Sequence, residues 1–73
     1  MTTQTTNCPL TITEQKIVQM LANNDRAARI AYALGIAENS VNKHTNVAKI
    51  RAGIPGASIA HLVAVSIRNG WVQ

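Results

Sequence analysis

The sequence predicts an all-α domain built from four helices. Apolar residues recur at helical spacing along most of the chain, and no segment alternates apolar and polar residues for long enough to indicate a strand. Residues with strong turn or capping preferences separate these apolar segments, so each helix has a predictable start and end. The helices are expected at about 12–22, 26–34, 38–52 and 58–68. Residues 1–9, rich in Thr, Gln and Asn, are expected to form a flexible N-terminal leader to a single domain at 10–73.

The first helix has a well-marked N-terminus. Thr11 is a favourable N-cap, and Glu14 three residues later completes a capping box. The apolar residues that follow at helical spacing are Ile17, Met20 and Leu21. The polar segment 23–25 ends the helix, and its last residue, Asp25, is expected to cap the second helix.

The second and third helices meet at a glycine. The second helix, RAARIAYAL, is short and ends at Gly35, which can adopt the positive φ of a helix C-terminus. The third helix has a narrow apolar seam of Val41, Ala48 and Ala52, with His44 at its edge. Its opposite side is polar but carries no acid, and it consists of Asn42, Lys43, Asn46 and Lys49.

The fourth helix is unusually apolar around its circumference. The segment Gly53-Ile54-Pro55-Gly56 separates it from the third helix. Its apolar residues, Ile59 through Ile67, cover close to half of the helical wheel and are interrupted mainly by Ser66. A helix that only covers a core needs a stripe of roughly 100°. The additional apolar width of this helix predicts a second buried surface, most simply a homodimer interface formed by Ala60, Val63, Ala64 and Ile67.

Positive charge is concentrated in the second half of the chain. The net charge is +4, yet residues 1–38 carry three basic and three acidic side chains, whereas residues 39–73 carry four basic and none acidic. The four basic residues are Lys43, Lys49, Arg51 and Arg68. This distribution suits a polyanionic partner, and a solvated helix face explains four charges equally well.

The spacing Ala31-x3-Gly35-x5-Val41 predicts a helix-turn-helix unit. Two short helices that cross steeply need a small residue where their backbones approach, which Ala31 provides. Gly35 permits the reversal, and Val41 is the first buried residue of the second helix of the unit. Such a unit presents the N-terminal half of that second helix outward, at a size that fits the DNA major groove.

The exposed face of this unit carries side chains suited to reading bases. Asn can bond adenine through two hydrogen bonds and Lys can donate to guanine, so Asn42, Lys43 and Asn46 are the expected base contacts. Polar and basic residues around them are expected to contact the DNA backbone, and these are Asn39, Ser40, Lys49, Arg51, Arg26 and Arg29. For Arg26 and Arg29, simple solvation is an equally good interpretation.

The chain resembles the LuxR-type (GerE-like) DNA-binding domain. Leu10, Thr11 and Glu14 match the family's opening Leu-Thr-x-Arg-Glu, while Thr13 replaces the arginine. The motif Ile-Ala-x-x-Leu-x-Ile-Ser-x-x-Thr-Val-Lys-x-His is matched by Ile30, Ala31, Leu34, Ile36, Val41 and His44, with Ser40 in place of threonine. The resemblance covers residues 10–72. It implies that the third helix is the recognition helix and that the fourth is a dimerisation helix.

Several positions depart from the family pattern. Ala37 stands where the recognition helix usually has an N-cap serine, and Asn42 stands where a lysine is common. The family's Ile-x-x-Lys-Leu-Gly-Val ending is matched loosely at residues 48–54, and the following loop is about two residues longer than usual. These departures suggest an altered target sequence and an altered half-site spacing.

Catalytic and metal-binding functions find no support in the sequence. His44, His61 and Cys8 have no ligand spacing, the three carboxylates lie on separate elements, and no phosphate-binding glycine loop is present. No metal or cofactor is therefore expected, and the protein is not expected to be an enzyme. Both aromatic residues are expected to be structural, Trp71 packed on the last turn of the fourth helix or at a dimer contact, and Tyr32 half-buried.

Together these observations predict a cytoplasmic, stand-alone transcriptional regulator that binds double-stranded DNA in a sequence-specific manner as a homodimer. The N-terminus lacks the features of a signal peptide, no apolar segment is long enough to span a membrane, and a lone cysteine fits a reducing compartment. RNA polymerase or another regulator is a further expected partner. The alternative is a protein-interaction module that pairs with a larger regulator through the fourth helix without reading DNA.

Overall fold

The structure, a computed structural model, describes residues 8–73 and consists there of four α-helices without strands. The helices are α1 (Ile12–Ala22), α2 (Ala27–Leu34), α3 (Glu38–Arg51) and α4 (Ile59–Arg68). The all-α prediction is confirmed, and each predicted helix end lies within one residue of the observed one. Most of the predicted leader, residues 1–7, lies outside the described residues. None of these helices has the length and apolar character needed to cross a membrane.

Helix α1 begins with the predicted capping box. The Thr11 hydroxyl accepts a hydrogen bond from the Glu14 amide at 3.1 Å, and the Glu14 carboxylate accepts one from the Thr11 amide at 3.0 Å. Two otherwise unpaired helix N–H groups are thereby satisfied. Both Ile17 and Val18 are fully buried because α1 packs against α2, α3 and α4. Helix α1 is therefore the central helix of the domain.

The core consists of two apolar clusters on either side of α1. The first cluster lies between α1, α3, α4 and the two ends of the described residues, and its buried members are Leu10, Val18, Ala48, Leu62 and Val72. The second lies between α1, α2 and α3, and its buried members are Ile17, Ile30, Ala31 and Val41. Helix α3 contributes to both clusters, so its orientation is fixed along much of its length.

The turn between α2 and α3 has the predicted conformation. Gly35 has φ +70° and ψ +33°, in the left-handed region that glycine adopts without a side-chain clash. The amides of Gly35 and Ile36 donate to the carbonyls of Tyr32 and Ala31, at 3.3 and 3.0 Å. These bonds satisfy carbonyls that the end of α2 would otherwise leave unpaired. With Ala31 and Val41 both buried, the helix-turn-helix prediction is confirmed.

The predicted capping role of Asp25 is wrong. The N-cap of α2 is Arg26, in an extended conformation and without a side-chain hydrogen bond to the helix. Asn24 has φ +72°, and the Asp25 amide donates back to the carbonyl of Met20. Asp25 thus still belongs to the end of α1, one residue too early to cap α2. Its carboxylate lies 3.8 Å from the Arg29 guanidinium instead.

The C-terminal segment folds back onto α1 as an added layer of the core. Trp71 packs against the first apolar cluster, and its amide donates to the carbonyl of Ser66 at 2.9 Å, which confirms the predicted packing near the end of α4. Two side chains of α1 hold this segment. Gln15 donates to the carbonyl of Trp71 at 3.0 Å, and Gln19 forms hydrogen bonds with both the amide and the carbonyl of Gln73.

The expectation that Tyr32 is half-buried is wrong, because its relative exposure is 90%. Helix α2 has only eight residues, and its buried residues, Ile30 and Ala31, occupy a narrow face. The next residue in the sequence turns by about 100° around the helix axis, and at position 32 this rotation leads away from the core.

Two serines on α4 have opposite environments. Ser66, which the sequence placed as an interruption of the apolar surface, is fully buried, and its hydroxyl has no hydrogen-bond partner among residues 8–73. Ser58 is the exposed N-cap, and its hydroxyl accepts a hydrogen bond from the His61 amide at 3.1 Å. The interruption in the sequence pattern therefore lies on the core side of the helix.

Replacing each serine by alanine should change stability in opposite directions. Ser66→Ala removes a buried, unsatisfied hydroxyl and should raise the free energy of unfolding by about 1 kcal/mol. Ser58→Ala removes a helix cap and should lower it by about 1 kcal/mol. Urea denaturation followed by circular dichroism measures both as shifts in midpoint at unchanged m-value. An equal decrease in the free energy of unfolding of the two variants would show that the Ser66 hydroxyl is hydrogen-bonded in the folded protein.

Candidate nucleic-acid interface

Helix α3 is the element on which the candidate interface is built. Val41, Thr45 and Ala48 are its buried residues, and their spacing of four and three residues defines its inner face. Thr45, which the sequence analysis did not single out, is buried at no cost in hydrogen bonding because its hydroxyl donates to the Val41 carbonyl at 2.8 Å. At 14 residues, α3 is about 21 Å long.

The three predicted base-contact residues lie outside this inner face. Asn42, Lys43 and Asn46 are all exposed and occupy two adjacent turns in the first two thirds of α3. Lys43 lies on the side opposite Val41, Thr45 and Ala48, as the rotation of 100° per residue requires. Amide and ammonium groups therefore project from the solvent side of the second helix of a helix-turn-helix unit.

Four of the six predicted backbone-contact residues lie near the two ends of α3, namely Asn39, Ser40, Lys49 and Arg51. On α3, Asn39 is exposed, whereas Ser40 and Lys49 are half-buried. At the start of α2, both Arg26 and Arg29 are exposed, and Arg29 lies within ion-pair distance of Asp25.

A groove of about 390 Å³ brings two of the predicted contacts together. Arg26 lines this groove from the start of α2, Asn42 lines it from α3, and Asn24 and Asp25 line it from the α1–α2 connection. A cationic side chain thus lies beside the N-terminal half of α3, although Arg26 and Asn42 are sixteen positions apart in sequence.

The N-terminus of α3 is uncapped by a side chain. Its N-cap is Ala37, which forms no side-chain hydrogen bond, and the helix begins directly after it at Glu38. The family's usual serine is therefore replaced without delaying the helix. Glu38, in the first turn, is exposed and is the acidic residue of α3.

The outward face of α4 carries an apolar stripe bordered by the exposed side chains of His61 and Arg68. Of the four predicted dimer-interface residues, Ala60, Ala64 and Ile67 are exposed. Val63 is partly buried and packs against the first apolar cluster, so it belongs to the core as well as to the edge of this face. Ile59, at the start of the helix, is also exposed.

The ionisable residues that invite a metal or catalytic interpretation lie apart. His44 is half-buried on α3, His61 is exposed on α4, and Cys8 packs against the first apolar cluster. Within residues 8–73, no group of three or more His, Cys, Asp or Glu side chains is arranged to hold a metal ion.

Comparison with known proteins identifies the family. The GerE family model, which describes bacterial regulatory proteins of the luxR family, matches residues 8–64. The chain belongs to the LuxR family of bacterial regulatory proteins. Among solved structures, one titled as the transcription factor GerE superposes with a TM-score of 0.83, at 22% sequence identity, over 92% of this chain and 97% of the other. No curated protein sequence matches significantly.

Membership in the LuxR family confirms the resemblance predicted from the motifs at residues 10–44, and the superposition confirms the four-helix fold that the resemblance implied.

Arg51 of this LuxR-family chain forms an ion pair that the family motif did not predict. The Arg51 Nε lies 3.3 Å from Oε1 of Glu14, whose side chain is 4% exposed, compared with 48% for Arg51. The guanidinium therefore neutralises the buried carboxylate of the capping box. Because half of the Arg51 side chain remains exposed, this pairing leaves room for the proposed DNA contact.

Removing this cation should destabilise the domain. Arg51→Met keeps the apolar stem of the side chain but leaves the Glu14 carboxylate buried without its charged partner, so the free energy of unfolding should fall by about 1–3 kcal/mol. Lys49→Met, the matched control two residues earlier, should change it by less than about 0.5 kcal/mol.

The pair is isolated by a double-mutant cycle with Glu14→Gln. In the Glu14→Gln background, Arg51→Met should lower the free energy of unfolding clearly less than it does in the parent, because no carboxylate remains to be neutralised. An equal cost in both backgrounds would show that Arg51 stabilises the domain by packing alone.

Proposed function

We propose that this protein binds double-stranded DNA in a sequence-specific manner as a homodimer and thereby regulates transcription. One observation carries the proposal. Helix α3 presents the exposed side chains of Asn42, Lys43 and Asn46 on the outer side of a helix-turn-helix unit whose turn is fixed at Gly35. A helix of this size fits the major groove, where each base pair displays a distinct set of donors and acceptors. Membership in a family of regulatory proteins supports the same conclusion.

Affinity and selectivity come from different side chains. Base edges are read by the amides of Asn42 and Asn46, which suit adenine, and by the ammonium of Lys43, which suits guanine. Phosphates are bound by the flanking residues, which are Asn39, Ser40, Lys49, Arg51, Arg26 and Arg29. Their cationic members raise affinity for any duplex by releasing condensed counterions.

Helix α4 supplies the proposed dimer contact. Ala60, Ala64 and Ile67 recur at the spacing of one helix face and are exposed in the single chain, with Val63 at the edge of the same face. Small residues allow two helices to approach closely, and Ile67 supplies apolar area to bury. A symmetric pair of chains would present two α3 helices to two half-sites of one operator.

The proposed setting follows from the proposed activity. A bacterial regulator acts where the chromosome lies, so we place this protein in the cytoplasm. Because regulation requires an effect on transcription, RNA polymerase or another regulator is the expected protein partner.

The alternative function is pairing with a larger regulator without reading DNA. A salt series of DNA-binding measurements distinguishes it from the proposed function. Binding to a random-sequence duplex is measured by fluorescence anisotropy as salt concentration rises. A DNA-binding protein loses affinity steeply, with a log–log slope of about −0.9 per phosphate neutralised. A protein without measurable duplex binding at low salt would favour the alternative.

Selective binding should depend on two residues of α3. Lys43→Ala and Asn46→Ala should each weaken binding to a site selected from a random library by about 1–3 kcal/mol, and should relax base preference at one position. Competition titrations against single-base variants of the selected site measure both effects.

Lys16→Ala is the matched control, because Lys16 is exposed on α1 in a groove with Trp71 and Val72. It removes the same charge from a different surface and should leave base preference unchanged. Full-strength and equally selective binding by the α3 variants would show that another surface reads the DNA.

Dimerisation should depend on the outward face of α4. Ala64→Glu places like charges close together in a symmetric pair and should raise the dimer dissociation constant at least tenfold, while the exposed position leaves folding intact. Sedimentation equilibrium measures the constant, with and without an operator duplex. Ala33→Glu, at an exposed position on α2, is the control. Equal association in both variants would exclude α4 as the interface.

A further inference from the structure

Two apolar side chains continue the outward face of α3 beyond the polar residues. Val47 and Ile50 follow Lys43 by four and seven residues, which places all three on one stripe of the helix. Their exposures are 38% for Val47 and 62% for Ile50, in contrast to the buried residues Val41 and Ala48 on the opposite face. Neither residue belongs to the two apolar clusters, and the proposed base contacts do not include them.

The position of this pair indicates what covers it. A single exposed apolar residue on a protein surface requires no explanation. Here, however, two branched aliphatic side chains lie among Lys43, Asn46 and Lys49, on the surface that faces the proposed DNA partner. In the major groove, the apolar group that a base edge displays is the C5-methyl of thymine.

We propose that Val47 and Ile50 are specificity-determining residues that recognise thymine through its methyl group. The inference rests on the proposed function, since it requires α3 to lie in the major groove. Contact with the methyl removes apolar area from water on both partners, and a cytosine at the same position offers a polar edge instead.

The geometry of α3 limits where these thymines lie. Ile50 is seven residues beyond Lys43, about 10 Å along the helix axis, and this distance spans at most about three base pairs. Asn46, between them, suits adenine. The selected site should therefore contain A·T pairs within about three base pairs of the position that Lys43 contacts.

Removing single methyl groups from the DNA tests the inference directly. Each thymine of the selected site is replaced in turn by deoxyuridine, which keeps the hydrogen-bonding edge and lacks the methyl. The parent protein should bind about fourfold more weakly at one or two of these positions, since one buried methyl contributes about that factor. At those positions, Ile50→Ala or Val47→Ala should bind the thymine and deoxyuridine sites equally.

Ile12→Ala is the control for truncating an exposed aliphatic side chain, because Ile12 is 73% exposed on α1 rather than on α3. It should retain both parental affinity and parental sensitivity to deoxyuridine. Circular dichroism melting of all three variants verifies the fold.

Three results would overturn the inference. In the first, the parent binds every deoxyuridine site at full strength. In the second, both α3 variants keep the parent's sensitivity to deoxyuridine. Val47 and Ile50 would then not contact the thymine methyl and would be available to a protein partner. In either case, salt-dependent and selective duplex binding that needs Lys43 would show that the proposed function still holds. In the third, selective duplex binding is absent, and the proposed function fails together with the inference.

Discussion

One buried carboxylate connects the start of the central helix with the end of the candidate DNA-binding helix. Glu14 completes the capping box that begins α1 and also accepts the guanidinium of Arg51 in the last turn of α3. Because Val41, at the other end of α3, is held in the second apolar cluster, these two contacts fix α3 along its length. A rigid helix holds its exposed side chains in a fixed arrangement, so that little further ordering is needed when it binds a partner.

Most of the fold could be predicted from the sequence because the local signals agree with the final packing. The capping box at Thr11 and Glu14 and the glycine at position 35 mark helix ends through short-range hydrogen bonds and φ preference, and both occur as predicted. The errors arise where tertiary or turn geometry decides. Asp25 is a good cap by residue type, but the left-handed turn at Asn24 shifts the start of α2 past it. Tyr32 is exposed because α2 buries only a narrow face, which its composition does not reveal.

The part of the candidate site that depends on local helix geometry is also predictable from the sequence. Helical rotation alone places Asn42, Lys43 and Asn46 on the outer side of α3, opposite Val41, and the structure shows all three exposed. The relation of Arg26 to Asn42 across one groove depends on how α2 packs against α3, and the engagement of Arg51 depends on a carboxylate far away in sequence. An interpretation of α3 that stressed polar residues also passed over Val47 and Ile50, since isolated apolar residues carry little signal in a charge pattern.

The return of the C-terminal segment to α1 has a consequence for how the protein folds during its synthesis. Val72 is a buried member of the cluster that also contains Leu10 near the other end of the described chain. This cluster can close only after residue 72 has emerged from the ribosome, and until then Val18 and Leu62 lack part of their cover. The residues of the second cluster, by contrast, all precede position 42. The nascent chain would thus have all the residues of its second cluster before those of its first, and would acquire its full stability last.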